Sequence, residues 1–402
     1  PLVLEQEGAG LRLSMTICPL FPQTVLVIAT ATAATATATA ATATAATATA
    51  TAGTAPITTL AAAGGDDDAS LSRGASLRPA ATQRAPSMIR VPPMSVTVVG
   101  SIAYDAVQTP HGGRERMLGG AAVHFALAAS FFDEVRVVGP VGDDFGEDEY
   151  AVLHGRDVIT DDIEHVEGGK TFFWSGVYGE NMNSRETLVT ELNVFETFEP
   201  KLSDASRQAD VLFLANILPG LQLNVRRPCE LARWVALDSM DLWINIARDA
   251  LIAAISEVDC VILNDSEVEL FTGEREVVAG ARKIMQHGPS AMVVKLGRYG
   301  AALVTPDDSF WIPAFPVDFV ADPTGAGDSF AGGFVGCVAA HGGEVSGDVL
   351  RLAMAYGTAI ASFNVEEFGT ERVARLTADE IVERVEELRR ITAFEAKALA
   401  LR

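Results

Sequence analysis

The sequence predicts an α/β protein with a mostly parallel central sheet flanked by helices and a small inserted β-sheet. Between residues 94 and 402, short runs rich in Val, Ile and Leu alternate with stretches of helical periodicity, the pattern of βαβ units. Residues 170–198 break this alternation, because aromatic and polar residues alternate there around an Asn-rich turn at 179–183. At 402 residues and 49% hydrophobic composition the chain can bury an extensive core, which excludes disorder of the whole chain.

The first 93 residues differ in composition from the remainder. They hold five acidic and five basic residues, so the entire net charge of −23 belongs to residues 94–402. From Ala29 to Ala52 the chain is almost pure Ala and Thr, a low-complexity tract without helical or strand period. A targeting or membrane segment is disfavoured, since Ala and Thr are weakly apolar and Arg12 is the one preceding basic residue. We interpret residues 1–93 as a disordered extension or, the interpretation we favour, as a start assigned too far upstream of Met94.

The charge and the cysteine content argue against several classes of protein. A net charge of −23 argues against binding to nucleic-acid phosphates or to an anionic membrane. The four cysteines are far apart and form no C-x-x-C pair, which argues against a disulfide framework and a zinc site. The sequence therefore favours a cytoplasmic protein with reduced thiols that acts on a small molecule.

The individual elements follow from apolar runs and periodicity. Buried strands are predicted at Val96–Val99, Val135–Val138, Val211–Ala215, Trp234–Leu237, Cys260–Leu263 and Met292–Leu296. Helices are predicted at Ala121–Phe132, Asp143–Leu153, Leu242–Ser256, Glu274–His287, Ala326–Ala340, Val349–Phe363 and Ala378–Ile391. The segments at about 105–118 and 168–198 are expected to pair into a small β-domain, a natural lid for a cleft at the carboxyl ends of the strands.

The sharpest motif is Asp322-Pro-Thr-Gly-Ala-Gly-Asp328, which leads into an apolar helix. Gly325, Ala326 and Gly327 place small residues at the helix N-terminus, where free N–H groups and the helix dipole can surround an anion. Asp328 falls in the first turn, where an ordinary helix cap is the alternative interpretation. The motif therefore predicts an anion hole beside a carboxylate.

Four other groups lie where predicted strands end, the edge at which open α/β sheets bind ligands. They are residues 100–105, 119–124, 264–267 and 295–300. The sequence contains no G-x-x-x-x-G-K-[ST] motif, and no G-x-G-x-x-G follows a strand. A P-loop nucleotidase and a dinucleotide-binding dehydrogenase therefore both lack their fingerprints.

Taken in order, these motifs resemble those of the PfkB family of carbohydrate kinases. The Asp-x-Thr-Gly-Ala-Gly-Asp segment is similar to the family's C-terminal signature, and Gly119-Gly120 with the following helix is similar to the N-terminal one. The resemblance covers about residues 95–395 and implies a ribokinase-like, Rossmann-type sandwich with a β-lid. It also implies transfer of the ATP γ-phosphate, with Mg²⁺, to a hydroxyl of a sugar or nucleoside.

The resemblance assigns the reacting groups by position. Asp328 matches the family's catalytic base, and residues 325–327 match its anion hole. A general base needs a carboxylate within hydrogen-bond reach of the hydroxyl, and the developing charge needs preorganised donors. Asp322 and the Thr324 backbone match positions that hold a monovalent cation such as K⁺ in many members.

The resemblance also assigns a nucleotide and metal site. Asn264 and Glu267 match the Asn-x-x-Glu motif that orders Mg²⁺ and its waters, and a helix N-cap with a capping-box glutamate is the alternative. Lys295 opens the group that follows the next strand. Gly297 and Gly300 are expected to let the backbone approach the nucleotide, and a tight turn is the alternative for them.

The acceptor site is assigned to a carboxylate, two glycines and two further polar side chains, namely Asp105, Gly119, Gly120, His124 and Asn216. Ala103 and His124 stand where ribokinase-like members often carry Asn. Since amides select particular hydroxyl patterns, this departure argues against ribose as the substrate. A packed core histidine is the alternative interpretation of His124.

The sequence thus predicts a kinase acting on a hydroxymethyl group of a small sugar, and two alternatives stay open. A nucleoside kinase is favoured by the missing amides and by Phe172, Phe173 and Trp174. These aromatic residues are candidates for stacking on a base or sugar face, and a packed lid face or a dimer contact is the alternative. A non-catalytic sugar- or nucleotide-binding sensor is disfavoured by the intact Asp328 and Gly-Ala-Gly. An exposed lid edge also predicts a homodimer through the lid.

Overall fold

The computed structural model describes residues 2–7, 10–15 and 94–394. Two strands near the N-terminus, β1 (Leu2–Glu7) and β2 (Gly10–Met15), pair antiparallel, which the composition does not anticipate. The remainder of residues 1–93, including the Ala/Thr tract, lies outside the described residues. The interpretation of that region as an extension stays a prediction.

Residues 94–394 contain the two other sheets and the helices. The strands are β3 (Ser95–Val99), β4 (Ala103–Thr109), β5 (Gly112–Gly119), β6 (Glu134–Val141), β7 (Ile159–His165), β8 (Phe172–Tyr178), β9 (Arg185–Glu191), β10 (Val211–Leu214), β11 (Trp234–Asp238), β12 (Cys260–Asn264), β13 (Ala291–Lys295), β14 (Ala301–Val304) and β15 (Ser309–Ile312). The helices are α1 (Ala121–Ala129), α2 (Glu147–His154), α3 (Asp204–Arg207), α4 (Pro219–Arg226), α5 (Asp241–Ile246), α6 (Arg248–Ile255), α7 (Asp265–Thr272), α8 (Val277–Met285), α9 (Ala326–Ala340), α10 (Gly347–Asn364), α11 (Glu371–Ala374) and α12 (Ala378–Thr392).

The large sheet has nine strands in the order β15-β14-β13-β12-β11-β10-β3-β6-β7. From β7 to β13 all neighbours are parallel, and β14 and β15 add an antiparallel edge. Alternate residues of each central strand enter two separate apolar clusters, one packed on α1, α9 and α10 and the other on α4, α6 and α8. Burial on both faces explains the continuous apolar runs in these strands. The α/β fold class, with helices on both faces of a mostly parallel sheet, is confirmed.

The small sheet has four strands in the order β5-β4-β8-β9. β4 pairs parallel with β8, with Asp105 opposite Trp174, so the two segments expected to pair do so. β8 and β9 form a hairpin in which Tyr178 pairs with Arg185. All residues of β9 are exposed, so this strand is an open edge.

Several predicted boundaries differ from the structure for local reasons. The expected helix at Leu242–Ser256 is two helices, because the backbone at Ala247 leaves helical geometry with φ −135°. α2 begins at Glu147 rather than Asp143, since the carboxylate of Asp143 accepts the N–H of Gly168 and so serves the loop. α7 is too short for its periodicity to be recognised, and β7, β14 and β15 were also missed. Within residues 94–394 and the two N-terminal strands, no helix has the length and apolar character to cross a bilayer.

Candidate active site

The loop that opens α9 is shaped by glycine. Gly325 is the N-cap and has φ +73°, a left-handed conformation that other residues seldom adopt. A Cβ added there would lie 2.3 Å from the ring of His124, so a side chain is excluded by space as well as by conformation. The first N–H groups of α9 are consequently presented without a covering side chain, which is the requirement for an anion hole.

A buried hydrogen-bond network supports this loop from behind. Asp322 is fully buried, and its carboxylate accepts the N–H of Thr324 at 2.9 Å and that of Gly369 at 3.0 Å. Asn364, at the end of α10, donates from Nδ2 to the Thr324 carbonyl at 2.7 Å and accepts from Ser329 Oγ at 2.9 Å. The side-chain amide of Asn364 therefore links α10, α9 and the loop before α9 by hydrogen bonds.

His124 belongs to the same network. The side chain is 1% exposed, and its Nδ1 lies 3.1 Å from Asn364 Oδ1. Burial lowers the pKa of His124 to about 4, so the ring is neutral near pH 7. This position under Gly325 favours the packed-residue interpretation over contact with substrate.

A lysine and three carboxylates meet at the carboxyl edge of the large sheet. Lys295, at the end of β13, donates from Nζ to Asp238 Oδ2 at 3.0 Å. Burial alone would lower the pKa of Lys295, but Asp238, Glu267 and Asp328 together raise it above its usual value. A Cβ built on Gly327 would lie 3.3 Å from Nζ, so the ammonium group lies beside the anion loop.

Asp328 lies in the first turn of α9, one residue after Gly327. The side chain is partly buried, and this burial raises the pKa of Asp328 while Lys295 and Arg185 lower it. A carboxylate that is desolvated yet faced by cations can accept a proton and remain close to an anion. Asp328 and residues 325–327 lie together at the start of α9, and their catalytic roles stay a prediction.

Asn264 and Glu267 form a capping box at the start of α7. Asn264 Oδ1 accepts the N–H of Glu267 at 2.8 Å, and Glu267 Oε2 accepts the N–H of Asn264 at 2.8 Å. Burial raises the pKa of Glu267 to about 7, against the opposing effect of Lys295. The capping alternative is therefore realised, while the metal role stays a prediction. Among the described residues, no group of three or more His, Cys, Asp or Glu side chains is arranged to hold a metal.

Asp105 is the buried carboxylate of the small sheet. It is 6% exposed, and burial, with repulsion from Asp322 and Asp328, raises its pKa to about 7. A Cβ on Gly119 would lie 2.0 Å from Asp105 Oδ2, and one on Gly120, at φ +94°, would lie 2.5 Å from the Ser101 carbonyl. Gly119 thus leaves room for the carboxylate, and Gly120 leaves room for the backbone of residues 101–103.

The remaining predicted residues have mixed surroundings. Gly297 faces Asn183 of the β8–β9 turn. A Cβ added to Gly297 would lie 2.6 Å from Oδ1 of Asn183. Gly300, at φ +104°, is pressed against the backbone from Ile312 to Ala314, which favours its tight-turn interpretation. Asn216 accepts from Trp243 Nε1 at 2.9 Å, so its carbonyl oxygen already has a partner.

The three aromatic residues of β8 make different contacts. Phe172 stacks on Phe195 with ring centroids 5.5 Å apart, and Phe173 packs against the main core. Trp174 lies under the guanidinium of Arg185, 5.2 Å from its ring centroid. Trp174 pairs directly with Asp105, and Phe172 lies on the same sheet face, two residues before Trp174, whereas Phe173 lies on the opposite face.

Sequence reasoning missed four residues of this site: Asp238, Asn364, Tyr178 and Arg185. Asp238 ends a buried strand, and the same rule that selected Asn264 and Lys295 would have found it. Arg185 and Tyr178 become neighbours through the hairpin register. No local signal distinguishes Asn364 at the end of an apolar helix.

Comparison with known proteins identifies the family of the chain. Residues 94–375 match the profile of the pfkB family carbohydrate kinases. The chain is 30% identical over 250 residues to a cytidine kinase of Thermococcus kodakarensis, covering 60% of this chain and 87% of that protein. It is 27% identical to a deoxyribokinase of Salmonella typhi over 69% of this chain and 94% of that protein.

The fold is also similar to a nucleoside kinase of Methanocaldococcus jannaschii, an archaeal member of the ribokinase family. The TM-score is 0.59 at 22% identity, covering 73% of this chain and 98% of the other. An Arabidopsis thaliana ribokinase complexed with ribose and ATP has a TM-score of 0.58 at 19% identity, covering 73% and 99%. Because the family profile matches more than half of the chain, the chain belongs to the pfkB family of carbohydrate kinases.

Proposed function

We propose that this pfkB-family member transfers the γ-phosphoryl group of ATP to a hydroxymethyl group of a small sugar or nucleoside, with Asp328 as the general base. The observation that carries the proposal is the position of Asp328, which stands at the N-terminus of α9 beside both the glycine-shaped loop and Lys295. A carboxylate and an anion hole in one helical turn supply what transfer to a hydroxyl requires.

The proposed transfer moves one proton and exchanges one bond to phosphorus for another. The Asp328 carboxylate takes the proton of the acceptor hydroxyl as its oxygen forms a bond to phosphorus, and the bond from phosphorus to the ADP oxygen breaks. The N–H groups at residues 325–327 stabilise the charge that develops on the phosphoryl oxygens. Lys295 supplies positive charge on the side of the loop that faces Asp238.

Asn264 and Glu267 are proposed to hold Mg²⁺ through its waters. Their capping box uses Asn264 Oδ1 and Glu267 Oε2, and a carboxylate with a second oxygen fits a hydrated, oxygen-preferring ion. Bound Mg²⁺ would neutralise charge on the ATP phosphates. Asp322 and the Thr324 backbone remain the candidates for a monovalent cation, since Asp322 places a buried carboxylate directly behind the loop.

Asp105 is proposed to accept hydrogen bonds from acceptor hydroxyls, with Gly119 and Gly120 making room for the ring. The small sheet then acts as the lid of a kinase domain that spans residues 94–402. The fully exposed strand β9 is a candidate edge for a homodimer in a cytoplasmic protein. The names of the relatives include both sugar and nucleoside kinases, which supports either acceptor class.

A panel assay tests this function. Purified protein is given ATP, Mg²⁺ and one acceptor at a time from a set of free sugars and nucleosides, and ADP release and the phosphorylated product are both measured. We expect a phosphorylated acceptor from at least one member of the panel. Tight binding of a sugar or nucleoside without ADP release would instead identify a sensor.

A further inference from the structure

The strands β10 and β11 separate at the carboxyl edge of the large sheet. Their pairing stops at Leu214 opposite Leu237, so the next residues, Ala215 and Asp238, have no partner in this ladder. Both residues are buried, and Asp238 still pairs with β12 on its other side. A buried backbone carbonyl without a hydrogen bond costs free energy, so the carbonyl groups at this opening need donors from elsewhere.

One side chain supplies these donors. Gln222, on α4, is fully buried, and its Nε2 donates to the Ala215 carbonyl at 2.9 Å and to the Asp238 carbonyl at 2.8 Å. The Leu214 carbonyl lies 3.3 Å from the same nitrogen. Because the NH₂ group alone can donate, the carbonyl oxygens fix the orientation of the amide. Gln222 therefore links the two strand ends where the ladder between them stops.

Packing alone does not account for an amide at this position. Leu223 and Val225, which follow Gln222 on α4, belong to the apolar cluster on this face of the sheet. Among the described residues, Gln222 Oε1 has no hydrogen-bond partner. Burying an amide with one atom unpaired is unfavourable, and an apolar side chain of similar length would fill the same space without that cost. The hydrogen bonds to the strand ends are what the amide adds.

The link reaches the charged groups of the site through Asp238. The Asp238 carboxylate accepts the N–H of Ser239 at 2.8 Å on Oδ1 and Lys295 Nζ at 3.0 Å on Oδ2. Lys295 Nζ lies beside the anion loop, 3.3 Å from a Cβ built on Gly327. The ammonium group is thus directed by a carboxylate whose own backbone is held by Gln222.

We propose that Gln222 is a positioning residue of the active site, which holds Asp238, and through it Lys295, in place beside the anion loop. The inference rests on the proposed kinase function. Groups that stabilise a developing charge must be held to within about 0.5 Å, and supporting hydrogen bonds provide that precision. Since Gln222 is buried behind the strand ends, it acts through the ion pair.

The test asks whether the effect of Gln222 on kcat depends on Lys295. Gln222→Met keeps the side-chain length and removes both donors, and it is made in the parent and in a protein carrying Lys295→Met and Asp238→Asn. We expect kcat per folded molecule to fall about tenfold in the parent and by less than about twofold where the lysine is missing. Denaturant unfolding of each protein gives the folded fraction.

Thr97→Val is the matched control. Thr97, in the middle of β3, donates from Oγ1 to the Ser206 carbonyl at 3.1 Å, so this change also removes a buried hydrogen bond to a carbonyl. It should lower the melting temperature and leave kcat at the parent value. Gln222→Glu is the second variant if Gln222→Met does not fold, because a protonated carboxyl group keeps one donor. Its effect on kcat should be smaller and should depend on Lys295 in the same way.

Two kinetic results would overturn the inference. An unchanged kcat per folded molecule would make Gln222 merely structural, and a tenfold fall that persists without Lys295 would show that it does not act through the ion pair. A crystal structure of Gln222→Met is determined in parallel, and we expect the Asp238 carboxylate and Lys295 Nζ to be displaced. If the parent phosphorylates no acceptor, the kinase proposal fails, and superposition of both groups on the parent structure would then separately refute the positioning role.

Discussion

The site has two halves, and the two sheets build them differently. On the large sheet, Asp328 lies at a helix start and Lys295 at a strand end, and the carboxylates around Lys295 raise its pKa. On the small sheet, Asp105 and Arg185 owe their place to strand pairing, and β9 is exposed along its whole length. The large-sheet half is fixed by buried packing, and the small-sheet half is fixed by register. Substitutions in the first half that disturb packing or break a buried ion pair should therefore affect stability and rate together, and those in the second should affect rate or binding more selectively.

Among the substitutions that disturb packing or charge pairing, the largest effect on kcat is expected from Gly325→Ala. The new Cβ would meet the His124 ring at 2.3 Å in a backbone conformation of φ +73°, so the anion loop must move. Loss of a preorganised donor typically lowers kcat by 10²–10³-fold, and we expect a fall of about that size. Gly168→Ala is the control, because Gly168 has the same φ of +73° and open space around its Cβ position. An equal loss of melting temperature and rate in both variants would show that backbone strain alone explains the result.

A smaller loss of activity is expected from Lys295→Met, with a larger effect on stability. Asp238 would be left buried without its partner, and breaking a buried pair typically costs about 3–5 kcal/mol of unfolding free energy. Adding Asp238→Asn should restore part of that stability while kcat stays about 10- to 100-fold low, since the loop still lacks its charge. Denaturant unfolding and kcat are measured on all three variants. If Asp238→Asn restored both the unfolding free energy and kcat, Lys295 would have no direct role in the reaction.

Asp105→Asn tests the small-sheet half, where the effect should be confined to the acceptor and to pH. The folded chain raises the pKa of Asp105 from 3.8 to about 7, so the native state holds this proton more tightly than the unfolded state. Stability from this group is therefore present below about pH 4 and is lost as pH rises to about 7. The variant should be more stable than the parent at pH 8, and the difference in stability between the two should be smaller at pH 4. The KM of the acceptor should rise about tenfold or more. A parallel pair of melting-temperature profiles across this range would contradict the assigned cause.

The two halves also differ in how far the sequence predicts them. Gly325, Asp328, Asn264 and Glu267 lie in contiguous motifs, and each falls at a helix start where glycine geometry or capping has a local signature. Lys295 was recognised by its strand end, whereas its pairing with Asp238 links residues far apart in the chain.

The small-sheet contacts depend on pairing that no local pattern specifies. The alternation in 170–198 predicted strands and a turn, but the register that sets Arg185 opposite Tyr178 includes a bulge between Ser175 and Gly176. A shift of one residue would turn every side chain of a strand to the other face. For the same reason the sequence left open whether His124 contacts substrate, since its burial under Gly325 follows from the packing of α1 on α9.

The measurement that tests the central claim most directly is the kcat of Asp328→Asn, made with ATP and acceptor binding and melting temperature on the same preparation. Asn nearly preserves the shape of Asp and can still accept a backbone hydrogen bond, so folding and binding should stay close to the parent. It cannot take the proton of the acceptor hydroxyl, and kcat should fall by about 10²–10⁴-fold, the usual contribution of general-base catalysis. A folded variant that phosphorylates the parent's acceptors at the parent's rate would contradict the assignment of Asp328 as the base.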